Sequence, residues 1–485
     1  MATSSGVAAP DFTELHADDL SDMDTTDDSS SDEEVEDEDV LSEGGDKPPG
    51  AILHTDISTE EEFEGFSDHY LELPHTYDDT SDFMADWRMG SRPRQTLNFT
   101  VKPGLRQFVE MPDDPKPVDY FDLFFRSEDY ETMAEETNRY FRQSTDGVNL
   151  KPRSRLLSWY DTTAEEMKVF IALTIAMGLV VKRDVNDYWS TNDVTSTPFF
   201  PKCMPRDRFW ILITYLHLSD NSLHDKKSAA YTPINKLGVI YKRVIGRFFS
   251  IYKPHEHISV DEGMVPWRGN LSFKVYNPDK PKKYGMKAYM LCDSDNGYVC
   301  QFKLYTGKVT VVSEAGKTYD MVMNLVREYA GKGYHLFMDN FYSSPTLFTN
   351  LWDMGIGATG TLRPNRKGTP KIMGKKKMEK KQERGDMIVM HNKTLLCVRY
   401  QDKKSVVMLS TVEDVQLVDT GRTNRVTGEL VRKPRIVYQY NKYMGGVDRV
   451  DQMLSYFPLR MKTMKWWKRV WFYVINVALL NAYIV

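Results

Sequence analysis

The chain has 485 residues, 41% of them hydrophobic and 12% aromatic, which leaves room for two to four domains of roughly 100–200 residues each and for large buried cores. Its four cysteines, Cys203, Cys292, Cys300 and Cys397, are scattered and form no CxxC pair, which argues against a disulfide framework and against a zinc site within this chain. The net charge of −6 conceals two opposite parts: residues 1–90 hold 28 Asp and Glu against Lys47 and Arg88 alone, whereas residues 91–485 hold 61 Lys and Arg against 41 Asp and Glu.

The first twenty residues have neither a basic nor an apolar stretch, so no secretory signal is read there and a reducing, intracellular setting is expected. Residues 1–90 lack sustained apolar periodicity. Such a composition cannot bury enough surface to offset chain entropy, so this stretch is expected to be a disordered acidic tail, with 91–117 as a linker. Ser29, Ser30 and Ser31 ahead of Asp32, Glu33 and Glu34 read as an acid-directed phosphorylation string. The basic remainder suits a polyanionic partner, against the plainer reading of a solvated basic surface.

From Val118 the pattern is helical. VDYFDLFFRSEDYETMAEETNRYFRQ, TAEEMKVFIALTIAMGLVV, PRDRFWILITYLHLS and INKLGVIYKRVIGRFFSIY place apolar residues at helical intervals, which predicts an all-helical region over 118–257. After Pro254 the texture becomes β-like. HISVDEGMV reads as a strand ending on acids, and KAYMLCDSDNGYVCQFKLYTG as a hairpin about Asp295-Asn296-Gly297. YDMVMNLVREYAGKG reads as a helix, YHLFMDN as a buried strand ending on Asp339, SPTLFTNLWDMG as a helix and IGATGTL as a strand. Three strands followed by helix-linked strands is the ribonuclease H-like order. The expected fold class is therefore α/β, an RNase H-like mixed-sheet catalytic domain with a helical N-terminal domain and a β-rich insertion.

Residues 363–384 interrupt that unit with ten Lys and Arg against two Glu, and the Lys/Arg-rich run 371–384 within them is open to reading as phosphate binding, nuclear localisation or a solvated loop. β-like pieces and a polar loop to Pro434 follow, then IVYQYNKYMGGVDRVDQMLSYF, read as a strand or loop leading into a helix after Gly445-Gly446. Val470 to Val485 is 16 residues without charge. As a helix it spans ~24 Å, short of the ~30 Å hydrocarbon core, and it carries Asn476 and Asn481. It reads as a buried helix, with no membrane partner.

Metal-assisted phosphoryl transfer needs several carboxylates converging on two hard cations ~3.5–4 Å apart. Asp261 and Asp339 both close apolar strand runs, and Asp448 and Asp451, three apart on a helix, lie ~60° apart on one face. Any single aspartate at a strand end is more often a turn former; Glu262 and Asp293 are weaker ligand candidates. His255 and His257 lack metal-ligand spacing and read as structural. Arg268, Tyr284 and Lys287 flank the first aspartate and are candidates for contact with substrate. Arg460, Lys462, Lys465, Lys468 and Arg469, interleaved with Trp466, Trp467 and Trp471, read as a DNA-facing helix start, with Trp471 more at home in the core.

Three blocks carry a resemblance that runs from about 118 to the end: SVDEGMVPWRG with KVYNPDKPKKYGMKAYMLCDSDNGYVC, then FMDNFYSS, then YNKYMGGVDRVDQM. Together they resemble piggyBac-type transposases. The resemblance implies Asp261, Asp339 and Asp448 as a catalytic triad, Asp451 as a further required acid, and Mg²⁺ or Mn²⁺ as cofactor. It implies cut-and-paste transposition of transposon ends at TTAA targets through hairpinned intermediates. It further implies a nuclear homodimer bound to DNA, with 118–257 and 457–485 forming a dimerisation and DNA-binding domain, 258–365 and 436–456 the catalytic domain, and 366–435 an insertion domain. Family members continue into a cysteine- and histidine-rich zinc domain that these 485 residues do not include, which keeps other readings open beside a complete transposase: a fragment of a longer one, a shortened form, or a domesticated DNA-binding or chromatin protein without transposition activity.

Overall fold

A computed structural model describes residues 86–485 apart from 225–226, 229–230, 279, 281, 308–312, 375–382, 424–427, 460 and 462. Residues 1–85, with the serine string, and much of the Lys/Arg run lie outside the described residues.

The described chain enters through β1 (Arg88–Met89) and β2 (Gly104–Leu105) and then forms helices α1 (Pro117–Asp122), α2 (Ser127–Thr145), α3 (Ala164–Leu179), α4 (Phe199–Cys203), α5 (Arg206–Tyr215) and α6 (Gly238–Ile251). The first aromatic run is broken into α1 and α2. At the break, the Asp129 carboxylate accepts the Arg126 N–H at 3.0 Å, starting a new helix, while Phe124 and Phe125 turn into the core. Gly238 opens α6 at φ +63°, with Leu218 O only 1.9 Å from where a Cβ would sit; glycine alone tolerates both the backbone angle and the approach.

Next come β3 (Tyr252–Lys253), β4 (His257–Pro266), β5 (Lys274–Tyr276), β6 (Tyr284–Asp293), β7 (Val299–Leu304), α7 (Lys317–Val326), β8 (His335–Met338), α8 (Pro345–Asp353) and β9 (Gly357–Thr361). The chain continues with β10 (Met387–His391), β11 (Leu396–Gln401), β12 (Ser405–Ser410), β13 (Leu417–Thr423), β14 (Leu430–Pro434), α9 (Arg435–Tyr443), α10 (Gly446–Tyr456) and α11 (Trp466–Ile484). The strand order β7-β6-β4-β8-β9, antiparallel on one side of β4 and parallel on the other, is that of an RNase H-like core. Beyond β9 the same sheet runs on through β12, β11 and β10 to β1. The 366–435 stretch thus contributes three strands to the central sheet and the separate β13–β14 ribbon.

Two expectations are corrected. The stretch before Gly445 is a helix, α9, and not a strand or loop. Its β-branched and aromatic residues suggest a strand, yet the buried Ile436, Val437, Tyr440 and Tyr443 recur at helical spacing and pack with Phe337 and Val398. The loop before Pro434 contains the β13–β14 ribbon, which is largely exposed and so has no alternation of apolar residues to reveal it.

One apolar core joins the helical region, the RNase H-like strands and α11. Trp471 is fully buried, with its ring 5.4 Å from that of Phe125. Asn481, polar and buried, bonds both backbone groups of Val299 on β7, accepting from N at 2.9 Å and donating to O at 3.0 Å. That asparagine therefore satisfies a sheet edge within the protein, and no described helix is long and apolar enough to cross a membrane.

A buried polar cluster ties the entering strap to the sheet. Glu413 lies 3.6 Å from Arg94 Nε and 3.9 Å from His335 Nδ1. Burial pushes the Glu413 carboxyl up to about 7, opposed by Arg94. A raised carboxyl favours the fold below its ordinary range and loses that contribution as pH rises toward 7. Glu413→Gln is therefore expected to leave stability at pH 5 nearly unchanged and to raise it by about 2 kcal/mol at pH 8, measured by denaturant melts at the two pH values; a loss at pH 8 would contradict this assignment.

Candidate metal and active site

Asp261 is not at a strand end. β4 continues to Pro266 against β6, with Asp261 opposite Met290. The parallel ladder to β8, however, stops at the pair Val260–Met338, so Asp261 lies one residue beyond it and Asp339 directly follows β8. Adjacent parallel strands thus deliver both acids at one level. Each is fixed locally: Asp261 Oδ1 accepts the Glu262 N–H at 2.8 Å, and Asp339 Oδ1 accepts the Phe341 N–H at 2.9 Å.

The third element is α10. Its first residue, Gly446, is pressed onto β4 and β6 so closely that a Cβ there would lie 2.3 Å from Ser259 Oγ and 3.4 Å from Cys292 Cβ. Seated in this way, α10 presents Asp448, exposed, and Asp451, half-buried, on its side toward the strands. Lys280, from the β5–β6 connection, reaches the same place. Its ammonium is 3.0 Å from Asp448 Oδ1 and 3.8 Å from Asp451 Oδ2. Tyr473 of α11 donates to Asp451 Oδ1 at 3.5 Å, so the last helix also touches the site.

Electrostatics confirm the crowding. The Asp261 carboxyl is held well above its ordinary range by burial, with Glu262, Asp339 and Asp448 adding repulsion and Lys280 opposing it. Asp339 is raised by burial, against the Phe341 N–H. Burial and then the neighbouring Asp448 push Asp451 up to about 6 despite Lys280. For Lys280, burial alone would favour the neutral amine, but Asp261, Asp448 and Asp451 reverse this and raise its pKa.

These acids offer hard oxygen donors of the kind that hold Mg²⁺ or Mn²⁺, and a positive charge already sits among them, so the residues fit a divalent cation. Their spacing is wide: among the described residues, only His255, Asp293 and Asp295 have three ligand atoms within 4.8 Å of one another. That trio is accounted for by hydrogen bonding. The fully buried Asp293 accepts from Tyr252 OH at 3.1 Å, from His255 N at 2.9 Å and Nδ1 at 2.8 Å, and from Asp295 N at 3.0 Å. It braces the β6–β7 hairpin. His257 stacks on Tyr443 with ring centroids 3.7 Å apart.

The basic candidates separate. Arg268 is exposed. Lys287 is paired with Glu262 at 3.0 Å and lies over the Phe341 ring. Tyr284 is exposed beside Tyr276. Lys465 is half-buried at the start of α11. Arg460 and Lys462 lie outside the described residues. Lys468 is corrected: it is buried, and its ammonium donates to Ile213 O at 3.0 Å and Thr214 O at 2.7 Å, capping the end of α5. Its charge is spent inside the protein. Sequence reasoning missed Lys280, because one lysine among Lys280, Lys282 and Lys283 has no distinguishing neighbour. It also missed Arg363 and Arg366, which brace the turn after Asp339 through Asn340 Oδ1 and Phe341 O.

An RNase H-like sheet with acids at this level defines a class of strand-processing enzymes, and the comparisons narrow it. The chain belongs to the piggyBac-type transposases: residues 116–483 match the family model described as Transposase IS4. PiggyBac transposable element-derived protein 2 of Homo sapiens is 26% identical over 456 residues, covering 91% of this chain and 74% of its own. The human PiggyBac transposable element-derived protein 3 is 27% identical over 477 residues, covering 91% and 77%. Among solved structures, the piggyBac transposase synaptic complex with hairpin DNA superposes with a TM-score of 0.66 at 27% identity, over 79% of this chain and 77% of that one.

Gly446 makes the placement of α10 testable. Gly446→Ala is expected to destabilise the protein by ~1–3 kcal/mol through overpacking and to shift Asp448 out of the site. Gly445→Ala, with nothing within 4 Å of its Cβ position, should be neutral. Equal melting temperatures for the two variants would show that the close approach does not constrain the helix.

Proposed function

We propose that this chain is a DNA transposase that cuts and joins strands at a divalent-metal site made by Asp261, Asp339 and Asp448, with Asp451 as a supporting acid. The observation that carries this reading is the convergence of acids from three separate elements: Asp261 and Asp339 at one level of adjacent parallel strands, and Asp448 and Asp451 of α10, which share the Lys280 ammonium and lie close enough to repel Asp261. The family membership and the likeness to a DNA-bound transposase complex support it.

In this reading the cations, Mg²⁺ or Mn²⁺, supply activation of the attacking oxygen and stabilisation of the leaving one. The protein does the rest. Asp261 and Asp339, each fixed by a backbone N–H, set the position of the site relative to the sheet. α10 brings Asp448 against them, and the Gly446 contact fixes how near it comes. The basic body, with Arg268 and Lys465 at its surface, attracts the phosphate backbone, a salt-dependent interaction that positions without reading sequence.

The same resemblance supports cut-and-paste movement at TTAA targets, a homodimer, a nuclear setting, and the helical region with α11 as the dimerisation and DNA-binding part. The extension of the sheet by β10–β12 is consistent with 366–435 serving as an insertion into the catalytic unit. A second reading, a transposase-derived DNA-binding or chromatin protein, is favoured by the names of the human relatives, which are element-derived proteins. The retained aspartates favour catalysis, since a binding module has no need of them.

Purified protein should nick DNA carrying the cognate ends only when Mg²⁺ or Mn²⁺ is present. Asp261→Asn, Asp339→Asn and Asp448→Asn should each lower cleavage by about 100-fold or more while leaving DNA retention on gels intact. Cleavage by the Asn variants at the rate of the unaltered protein would refute the site, and metal-dependent DNA retention without any cleavage would favour the binding protein.

A further inference from the structure

We infer that Lys280 is a resident counter-cation: it occupies the carboxylate cluster in the metal-free protein, holds the site open, and must leave before a divalent ion enters. The inference rests on the reading of the four aspartates as a metal site.

Lys280 Nζ lies 3.0 Å from Asp448 Oδ1 and 3.8 Å from Asp451 Oδ2, and its side chain is only 15% exposed whereas that of Asp448 is 46% exposed. An ammonium buried to that degree is placed there by charge, because desolvation alone would expel it. A lysine offers three donors and no acceptor, so it neutralises the acids it touches and competes with a second cation for the same carboxylate oxygens. Lys280 stands on the connection between β5 and β6, outside regular structure; its departure therefore breaks no sheet pairing. Two consequences follow. The metal-free fold avoids the full repulsion of its own acids, and metal affinity is reduced by the fraction of time in which Lys280 occupies the cluster. Lys280 is thus a positioning residue that sets the metal threshold, and once displaced it is free to face the phosphates of bound DNA.

The test is Mn²⁺ titration of the full chain by calorimetry, with melting temperatures taken in EDTA and in saturating Mn²⁺. Lys280→Gln and Lys280→Met should bind Mn²⁺ about ten-fold more tightly than the unaltered protein. They should melt several degrees lower in EDTA and regain most of that difference in Mn²⁺. Lys280→Arg, which keeps the charge, should not bind more tightly. If Lys280→Met fails to fold, Lys280→Gln, which retains a hydrogen-bond donor, carries the comparison. Should the neutral variants bind Mn²⁺ no more tightly while Asp448→Asn weakens binding, the counter-cation inference alone fails. Should Asp448→Asn leave Mn²⁺ binding unchanged, the metal-site reading fails with it.

Discussion

Carboxylates gathered in a half-buried place repel one another, and this protein must fold before any metal relieves that repulsion. Asp261, Asp339 and Asp451 all have carboxyls raised by burial and by negative neighbours. Such an assembly opposes the folding that creates it. What holds it is structural commitment elsewhere: two strands whose parallel ladder ends at Val260 and Met338, a helix seated closely on the sheet at Gly446, and one ammonium against Asp448 and Asp451. Each is needed because each supplies a different acid, or the charge that offsets them.

The surrounding architecture can be understood as support for that convergence. α10 is seated on the sheet by its buried residues Gly446, Val447, Val450 and Leu454. α11 steadies it from behind, with Tyr473 bonded to Asp451 and Trp471 sunk in the core shared with the helical region. Asn481 ties the far end of the same helix to the β7 edge. On the opposite side, Arg363 and Arg366 fasten the turn that carries Asp339. The helical region and the RNase H-like sheet are therefore joined through α11 in one apolar core.

Much of this was legible in the residues. The run HLFM before Asp339 is buried throughout, and Asp295-Asn296-Gly297 forms the turn between β6 and β7, with Gly297 at φ +84°. Both signals are local: apolar content for the first, turn chemistry for the second. The failures have a common cause. Asp261 reads as a strand end because acids follow a β-branched run, but where a ladder ends is decided by the neighbouring strand. α9 looks like a strand by composition, and only its burial spacing separates the two. Lys468 reads as a surface cation among tryptophans, whereas the open carbonyls at the end of α5, distant in sequence, claim it. Lys280 was invisible for the same reason, since its importance comes from acids contributed by other elements.

The proposed role of Asp261, Asp339 and Asp448 is to enclose divalent cations. Anomalous diffraction from crystals equilibrated with Mn²⁺ tests it most directly. Anomalous density is expected among these three carboxylates, with the Lys280 ammonium withdrawn from Asp448. Density confined to His255, Asp293 and Asp295, or none among the three carboxylates at saturating Mn²⁺, would contradict it.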